Sequence, residues 1–542
     1  DSLNLIPEKL SKFGEMFNLE QEKEVMPYDL YTTKNIEETY INIDECLKEV
    51  KEKEKERFLE NCKKWGCIED DEINIILYSK KYCEMDVDVL YHGYFTFKKN
   101  IKKITKLDIS NYCSIASLSH DFMISKGAFD DCYALSGVPR AFIQKCVVGG
   151  RCMVRRNEKC YANKDVADYD GVSLYPSSMS RINGYMKGSP KVIENKSLEF
   201  LEKQDYYFVK VVCLNNPSTN RNFPVLSKSD ENGIRDFTND TKGVIFYLDK
   251  ISLEDAVNFQ GLKFEIIQGY YYNEGFNNKV NSIINYLFNE RLKMKKIKNP
   301  IEKVYKLIMN SCYGKCLLKP ITDEIEIVYK NKWDDYLCRN YNFIKEYTEL
   351  EKCVIVKKIK PISKQFNNVC QGVYILSMSK RIMNEVMYCA EDNDCEIYYT
   401  DTDSIHIDYD KVAVLEKKFK EKYKRELTGK NLGQFHIDFD LEGSEGEIIS
   451  KRSVYLGKKC YMDDLKSKDE KGNDLYGEHL RMKGIPSQSI EYTKNKLNVS
   501  YHELYMKLYN GEKIKFDLLC GGQRCNFQYN KDLSVRSLGY IN

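Results

Sequence analysis

The sequence predicts an α+β fold in which an antiparallel sheet carries helices on one face. Residues 206–214 ("YYFVKVVCL") and 396–409 ("EIYYTDTDSIHIDY") are rich in the β-branched and aromatic residues that are typical of strands. Residues 371–390 ("QGVYILSMSKRIMNEVMYCA") have the length and apolar content of a helix. This mixture indicates helices packed on an antiparallel sheet. Because 542 residues exceed what one hydrophobic core usually serves, we expect several domains.

Charge and cysteine content narrow the class of protein only slightly. The 84 Lys and Arg residues nearly balance the 82 Asp and Glu residues, so the net charge of +2 indicates no polyanionic partner by itself. The 20 cysteines include no Cys-x-x-Cys pair and no neighbouring His at zinc spacing, so we expect reduced thiols. No apolar run approaches the ~20 residues of a membrane span. We therefore expect a soluble protein without a membrane partner, in the cytoplasm, a viral replication compartment or an organelle, and not secreted.

The N-terminal part of the chain is predicted to be helical. Residues 38–65 carry charges at helical period and predict a solvated helix. Residues 72–97 ("EINIILYSKKYCEMDVDVLYHGYFTF") predict an amphipathic helix, on which Tyr82 and Asp86 share a face because they are four residues apart. Such a pair is common in helices and indicates no function by itself.

The stretch "VADYDGVSLYPSSM" (166–179) predicts a strand that ends in carboxylates. Asp168 and Asp170 follow the apolar residues, and the chain then turns through Tyr175 and Pro176. Asp168 lies one strand repeat from Asp170, on the same face and deeper in the sheet. We therefore expect Asp170 to be the more accessible of the two carboxylates.

A second strand ends in the same way. The stretch "IYYTDTDSIHI" (397–407) predicts a hairpin whose tight turn is Asp-Thr-Asp-Ser, with Asp401 and Asp403 at its tip. Alone, this is an ordinary turn. Brought beside Asp170, however, Asp403 would form a dense negative pocket that suits hard divalent cations. The two strands together predict Mg²⁺ or Mn²⁺, and two such ions are what phosphoryl or nucleotidyl transfer uses.

A third stretch supplies basic and amide side chains. In "VYKLIMNSCYGK" (304–315), the side chains of Lys306, Asn310 and Tyr313 are predicted to share one helical face, with Gly314 ending the helix. Upstream, in "NERLKMKKIKNP", two further basic residues share another face before Pro300 interrupts, namely Arg291 and Lys295. Two short helices could present Arg291, Lys295 and Lys306 to a triphosphate. The run "KMKKIK" taken alone is more typical of a solvated helix.

Together these stretches resemble the family B DNA polymerases. "DYDGVSLYPSS" is similar to motif A of that family, "KLIMNSCYG" to motif B and "YTDTDS" to motif C, in the family's order. "YLGKKCY" (455–461) resembles its Lys-x-Tyr element, "MKGIP" (482–486) a thumb element, and "YCEMD" (82–86) the third exonuclease motif. The resemblance implies a right hand of palm, short fingers and thumb. It further implies a DNA-directed DNA polymerase that binds template and primer DNA and dNTPs.

The resemblance also implies roles for the palm residues. Asp170 and Asp403 would hold two Mg²⁺ or Mn²⁺ ions, with the backbone carbonyl of Gly171 completing one shell. Asp401 would support the site, and Asp168 would be structural or lie behind the metal ligands.

Nucleotide and DNA binding are assigned in the same way. Tyr175 would close over the sugar and exclude a 2′-hydroxyl. Lys306, with Arg291 or Lys295, would hold the triphosphate, while Asn310 and Tyr313 would form the floor against the new base pair. The expected primer and DNA contacts are Lys459, Tyr461 and Gly314.

Spacing between the motifs favours one branch of the family. Long stretches separate Asp170 from Lys306 and Asn310 from Asp401, more than a sheet crossover and a helix require. Such insertions, with short fingers, are similar to protein-primed viral and plasmid polymerases, in which two insertions bind a terminal protein, grip the template and aid strand displacement. A terminal protein primer is therefore an expected partner. Two alternatives remain open: a family B polymerase that uses nucleic-acid primers, and a non-catalytic polymerase-like scaffold that binds DNA.

The exonuclease resemblance is partial. No Asp-x-Glu strand precedes Tyr82, so we expect a truncated exonuclease domain that does not proofread. Val147 stands where the group usually places an aromatic residue before its Gly-Gly linker. The expected divisions are the exonuclease-like part at 1–105, a connector at 106–164, palm with a first insertion at 165–285, fingers at 286–318, palm with a second insertion at 319–462, and thumb at 463–542.

Overall fold

A computed structural model describes residues 2–230, 235–517, 526–529 and 535–538. The chain forms two compact units. Unit 1 consists of Asp1–Ala128 and Ser282–Lys315, and unit 2 consists of Phe129–Asn281 and Cys316–Asn542. The predicted thumb at 463–542 includes residues 518–525, 530–534 and 539–542, which lie outside the described residues.

The α-helices of the described residues differ widely in length, from one turn to a 31-residue helix in unit 1. Their bounds are α1 Phe13–Phe17, α2 Thr33–Glu38, α3 Ile43–Lys48, α4 Lys55–Lys64, α5 Ile75–Thr105, α6 Ile115–Ser125, α7 Gly137–Gln144, α8 Leu174–Arg181, α9 Leu198–Glu202, α10 Lys250–Gln260, α11 Lys279–Lys296, α12 Ile301–Ser311, α13 Trp333–Asn340, α14 Val369–Glu391, α15 Val412–Tyr423, α16 Ser487–Leu497 and α17 Tyr501–Tyr509.

The strands of the described residues lie mainly in unit 2. Their bounds are β1 Tyr40–Asn42, β2 Ile68–Glu69, β3 Glu72–Asn74, β4 Cys152–Val154, β5 Cys160–Ala162, β6 Val166–Gly171, β7 Tyr185–Met186, β8 Lys191–Val192, β9 Tyr206–Cys213, β10 Ser227–Ser229, β11 Arg235–Phe237, β12 Ile245–Asp249, β13 Phe264–Tyr272, β14 Phe276–Asn277, β15 Asp323–Tyr329, β16 Ile344–Glu349, β17 Cys353–Ile359, β18 Ile397–Asp401, β19 Ser404–Asp408, β20 Phe435–Ile437, β21 Ile449–Gly457, β22 Cys460–Lys468, β23 Asp474–Met482, β24 Asn526–Tyr529 and β25 Val535–Leu538.

Unit 1 is built on the long helix α5. The predicted helix at 72–97 is confirmed over most of its length, but it begins at Ile75 because Asn74 caps it, accepting a hydrogen bond from the Leu77 N–H (2.8 Å). The prediction of one helix at 38–65 is wrong. That stretch contains β1, α3 and α4, because Asn42 ends β1 and caps α3 through the Asp44 N–H (3.0 Å).

The helix that carries Lys306 ends earlier than the sequence predicts. α12 ends at Ser311, where the Cys312 N–H donates to the Met309 carbonyl (3.4 Å), three residues back instead of four. Tyr313 therefore lies in the turn beyond the helix, and Gly314 opens a short 3₁₀ turn. Lys306 and Asn310 remain on one exposed face of α12.

The main sheet of unit 2 is antiparallel, as predicted. Its strands follow the order β23-β22-β21-β6-β19-β18-β4, with β20 paired to β6 and β5 to β21. The predicted helix at 371–390 is α14, and the predicted strand at 206–214 is β9, which belongs to a second sheet of order β12-β9-β13-β8. α14 is buried along nearly its whole length because it packs between these sheets in one hydrophobic core.

Alternation along β6 and β19 decides which side chains face that core. Ala167 and Tyr169 of β6, with Ile405 and Ile407 of β19, belong to the hydrophobic core that contains α14. Successive side chains of a strand point to opposite faces, so Asp168 and Asp170 lie on the other face of the sheet. The carboxylates are therefore placed on the face opposite α14.

Unit 2 also contains a small three-stranded sheet and a pair of helices near its C-terminal end. The sheet β15-β17-β16 lies within residues 319–368 and packs one face, including Val328, Val354 and Val356, against Trp333 and Tyr336 of α13. At the other end, α16 and α17 pack on β21–β23. The cysteines that the structure describes are free thiols. Among the described helices, none combines the length and the apolar content that crossing a membrane requires.

Candidate active site

Strand pairing brings the two predicted aspartates together. β19 pairs with β6 so that Ser404 lies opposite Asp170, and the Gly171 N–H donates to the Asp403 carbonyl (2.8 Å). Asp403 occupies the two-residue turn with Thr402, which adopts a left-handed backbone conformation (φ +65°). The predicted hairpin of residues 397–407 is confirmed, with its carboxylates at the tip.

An open cleft of about 930 Å³ lies over this pair of strands. Six carboxylates line it, from β6, from the β18–β19 turn and from the residues after β20, and these are Asp168, Asp170, Asp401, Asp403, Asp438 and Asp440. The basic residues that line it are Lys459, His479 and Arg481. Acidic side chains therefore outnumber basic ones in the cleft, which favours a cationic ligand.

Burial and neighbouring carboxylates raise the pKa values of both central aspartates. Burial, and then the charge of Asp403, raise the pKa of Asp170 to about 8. Burial also raises the pKa of Asp403, and the charges of Asp401 and Asp438 add to the effect. A divalent cation would relieve this repulsion, and oxygen ligands suit Mg²⁺ or Mn²⁺. In the part of the chain that the structure describes, no three His, Cys, Asp or Glu side chains form a ready metal-binding cluster.

Asp401 differs from its neighbour Asp403 because its charge is paired. The Lys459 ammonium donates to Asp401 (Nζ–Oδ2 2.9 Å), and the Lys459 N–H donates to the Tyr399 hydroxyl (3.0 Å). This pairing joins the β21–β22 turn to the hairpin that carries Asp401 and Asp403. Tyr461, predicted to touch primer, is only 6% exposed and packs on Tyr399 with ring centroids 4.7 Å apart. The primer contacts of Lys459 and Tyr461 stay predictions.

Asp168 is buried beneath the cleft and faces a histidine. The Nε2 of His406 lies 3.7 Å from Asp168 Oδ1, and its Nδ1 lies 3.0 Å from the Tyr455 hydroxyl and 3.5 Å from Asp463. Burial raises the pKa of Asp168 to about 6 although His406 opposes the rise. Burial alone would lower the pKa of His406, but the carboxylates of Asp168 and Asp463 raise it. This arrangement is consistent with the supporting role predicted for Asp168.

Sequence reasoning missed Asp438. The short strand β20 flanks β6 on the side away from β19, with His436 opposite Asp170, and the Asp438 N–H donates to the Asp168 carbonyl (3.0 Å). The charge of Asp438 contributes to the raised pKa values of Asp170 and Asp403. The available signal was an aspartate directly after the short run "QFHI", because β6 likewise carries an aspartate near its end.

Tyr175 lies beside the carboxylates within unit 2. It is partly buried on α8, and burial together with the charge of Asp403 raises its pKa. This position is compatible with the predicted contact to a nucleotide sugar, which stays a prediction.

The predicted triphosphate residues lie in unit 1. Lys306 and Asn310 are exposed on α12, and Lys295 is exposed on α11. Arg291 is different, because its Nε donates to Glu302 (3.1 Å) and its side chain is only 13% exposed. Lys295 and Lys306 are therefore the more available cations, and all of these roles, with those of Tyr313 and Gly314, stay predictions.

Tyr82 and Asp86 share a face of α5, and a lysine joins them. The Lys23 ammonium donates to the Tyr82 hydroxyl and to Asp86 (2.8 Å), while the Tyr28 hydroxyl lies 3.4 Å from that of Tyr82. Burial raises the pKa of Tyr82, and the interactions with Tyr28 and Asp86 add to this effect. Sequence reasoning missed Lys23, because a single lysine in a charged segment gives no signal.

We expect Asp170→Asn to stabilise the metal-free chain at pH 7. Because the pKa of Asp170 is raised in the folded chain, its contribution to stability is fully present below about pH 4 and is lost as the pH rises toward 8. Removing the charge should raise the melting temperature in EDTA by about 2–4 °C, a small value because the carboxylate is partly exposed. Mg²⁺ should then raise the melting temperature of the wild type and not that of Asp170→Asn.

Thermal denaturation with EDTA or Mg²⁺ measures both effects. Asp440→Asn is the matched control, because Asp440 lines the same cleft but is exposed. This control should respond to Mg²⁺ as the wild type does. An equal response of Asp170→Asn to Mg²⁺ would show that Asp170 is not a ligand.

Comparison with known proteins places the chain in a family. The family model described as "DNA polymerase type B, organellar and viral" matches residues 1–408. A DNA polymerase of Kluyveromyces lactis is 25% identical over 431 residues, covering 78% of this chain and 40% of that protein. A probable DNA polymerase of Neurospora intermedia is 25% identical over 528 residues, covering 92% and 48%. The chain thus spans less than half the length of these curated relatives.

Solved structures share the fold. An orthorhombic crystal form of Phi29 DNA polymerase matches with a TM-score of 0.61 and 17% identity, covering 93% of this chain and 74% of that one. Phi29 DNA polymerase with primer-template DNA and incoming nucleotide substrates matches with a TM-score of 0.59, at the same identity and coverage. The predicted resemblance is confirmed by the family model, which extends from residue 1 through the second aspartate-bearing hairpin. The chain therefore belongs to the organellar and viral type B DNA polymerases.

Proposed function

We propose that this chain carries the synthetic part of a DNA-directed DNA polymerase, which transfers deoxynucleotides to a primer 3′-hydroxyl. The observation that carries this proposal is the meeting of Asp170 and Asp403 in one acidic cleft, each with a raised pKa. Family membership supplies the reaction class. Template, primer and dNTPs are the proposed substrates, and the proposed divisions are those given by the sequence, with palm at 165–285 and 319–462, fingers at 286–318 and thumb at 463–542.

We propose that two divalent ions bind in this cleft. Asp170 and Asp403 would hold Mg²⁺ or Mn²⁺, with the Gly171 carbonyl, and Asp438 would add a further carboxylate near them. When bound, such ions would favour the ionised 3′-hydroxyl and neutralise charge on the leaving pyrophosphate. Asp401, held by Lys459, would keep the hairpin in place and leave the metal-binding role to Asp403.

The other residues would bind and orient the substrates. Lys306 and Lys295 would neutralise the triphosphate, Asn310 and Tyr313 would contact the new base pair, and Lys459 would contact the primer strand. Tyr175 would exclude nucleotides that carry a 2′-hydroxyl. This role can be tested by measuring how well a Tyr175→Val variant discriminates between dNTPs and rNTPs. No role in metal binding is proposed for these residues.

Asp403→Asn should abolish Mg²⁺-dependent primer extension, a loss of at least about 10³-fold, because it removes one of the two central carboxylates. DNA binding, measured by fluorescence anisotropy, should stay within about twofold of the wild type, since the substitution removes a negative charge. Asp440→Asn, in the same cleft, serves as the control. Full extension activity in Asp403→Asn would contradict the proposed site.

The Gly149–Gly150 pair gives a second test of the same site. A Cβ atom on Gly150 would lie 2.5 Å from Thr402 Cγ2, in the catalytic turn, whereas one on Gly149 would meet nothing within 4 Å. The Thr402 N–H also donates to the Arg151 carbonyl (2.7 Å). Gly150→Ala should therefore displace the turn and slow extension at least about tenfold, while Gly149→Ala should stay within about twofold. Equal rates for the two variants would show that the turn tolerates the displacement.

We also propose that synthesis starts from a terminal protein. Support comes from the two insertions between the motifs, which form the sheet β12-β9-β13-β8 with its flanking elements and the sheet β15-β17-β16. Mixing the chain with a candidate terminal protein and labelled dNTP should give covalent transfer to a Ser, Thr or Tyr hydroxyl of that protein. Transfer should be absent in Asp403→Asn. Extension of DNA primers without such transfer would favour the alternative of nucleic-acid priming.

The remaining alternative is a non-catalytic scaffold, which an absence of extension by the wild type would favour. The free cysteines of the described residues favour a reducing compartment, such as the cytoplasm or a viral replication compartment. An organelle is also compatible with the family.

A further inference from the structure

A second cavity in unit 2 shares no lining residue with the carboxylate cleft. It has a volume of about 270 Å³ and lies between the segment before the Gly-Gly pair, the strands β10 to β12, and α14. Four basic residues line it, namely Lys145, Lys228, Arg235 and Lys380. The apolar residues that line it include Val225 and Phe246.

Three of these cations lack a carboxylate partner among the residues that the structure describes. Lys228 is ion-paired with Asp240 (2.8 Å). By contrast, the Lys380 ammonium donates to the Val148 carbonyl (3.1 Å), Arg235 Nη1 donates to the Ser227 hydroxyl (3.1 Å), and Lys145 lies over the ring of Tyr247 (5.0 Å). The direct contacts of these three cations are therefore with neutral groups.

The carboxylate in the cavity lining does not compensate for them at close range. Asp255 accepts a hydrogen bond from Arg381 Nε (2.7 Å) and another from Asn384 (2.9 Å). Its oxygens are thus already engaged by a different cation. Lys380 is half-buried, whereas Lys145, Lys228 and Arg235 are exposed. The lining thus carries more positive than negative charge, which favours an anionic ligand.

The ionisation of these groups agrees with that imbalance. Burial lowers the pKa of Lys380 to about 8; the charges of Asp249 and Asp255 oppose this effect, and those of Arg151 and Arg235 add to it. Burial also lowers the pKa of Arg235. An anion held between them would favour the charged form of both side chains.

We propose that this cavity binds a phosphate group, with Arg235 and Lys380 as its principal ligands and Lys145 at its edge. Arginine and lysine are the side chains that bind phosphate most often, and the volume accommodates a phosphate ester with part of a sugar. Two sources share this chemistry: a backbone phosphate of DNA and a free nucleoside phosphate. The proposal stands apart from the proposed polymerase activity, because it concerns binding at a separate cavity.

Binding measurements on full-length variants test the proposal. Arg235→Gln and Lys380→Gln each remove one unpaired cation, and Lys242→Gln removes the same charge from an exposed position of the same unit that does not line the cavity. The probes are a single-stranded oligonucleotide, followed by anisotropy over a range of salt concentrations, and dAMP, followed by calorimetry. We expect at least a fivefold loss of affinity for one probe in both cavity variants, with Lys242→Gln unchanged.

The two sources give different patterns. If DNA supplies the phosphate, each cavity variant weakens oligonucleotide binding. The slope of the logarithm of the binding constant against the logarithm of the salt concentration becomes shallower by about one, and dAMP shows no saturable binding. If a free nucleotide supplies it, dAMP binds the wild type and not the cavity variants, and oligonucleotide binding does not change. Cavity variants that match Lys242→Gln with both probes would overturn the proposal.

A chemical measurement on the wild type covers the case in which a variant misfolds. Pyridoxal 5′-phosphate carries both a phosphate and an aldehyde, which condenses with a lysine amine to an imine and releases water. Borohydride then supplies the hydride that reduces the imine to a stable secondary amine, and peptide mass spectrometry locates the label. We expect label on Lys380 that falls at least fivefold with saturating oligonucleotide or dAMP. Absence of label on Lys380, or label that neither probe reduces, would overturn the proposal.

Discussion

The backbone pairing of β6 with β19 forces two like charges against each other, and the chemistry of unit 2 depends on that constraint. The hydrogen bond from the Gly171 N–H to the Asp403 carbonyl and the pairing of Ser404 with Asp170 are main-chain interactions, so the backbone of the sheet keeps Asp170 and Asp403 close together. Repulsion and burial instead raise their pKa values. The cation that we propose between them would remove this energetic penalty, so that a locally unfavourable arrangement would serve the proposed function.

Neighbouring side chains interact with the other carboxylates around Asp170 and Asp403. Lys459 neutralises Asp401, and beneath the cleft His406 lies between Asp168 and Asp463, so the outer carboxylates have charged or polar partners. Burial opposes the ionisation of Asp463, but the contacts with His406 and His479 hold its pKa well below the ordinary value. Asp170 and Asp403 are therefore the pair at which we propose that a metal binds.

Local patterns predicted the elements that form the site, and tertiary packing decided the rest. The carboxylate-ended strand, the hairpin and the helix α14 follow from alternation and length, because each is specified within a few residues. Asp438 was missed because the strand that precedes it, β20, is only three residues long, and its pairing with the distant β6 gives no local signal in the sequence. The helix expected at 38–65 is broken by a cap at Asn42, and Tyr461 is buried by aromatic neighbours distant in sequence. Neither the helix break nor the burial of Tyr461 can be predicted from the pattern of charge or hydropathy along the sequence.

The two-residue turn at Thr402 and Asp403 contrasts with the long insertions elsewhere in unit 2. Because side chains alternate along a strand, one added or deleted residue in this turn would shift β19 by one position and send its polar residues into the hydrophobic core. Loops such as those around β10 or β15 carry no such penalty, since they lie outside the ladder that joins β6 to β19. Length variation among relatives should therefore accumulate in the insertions and be excluded from a turn whose size is set by the pleat of the sheet.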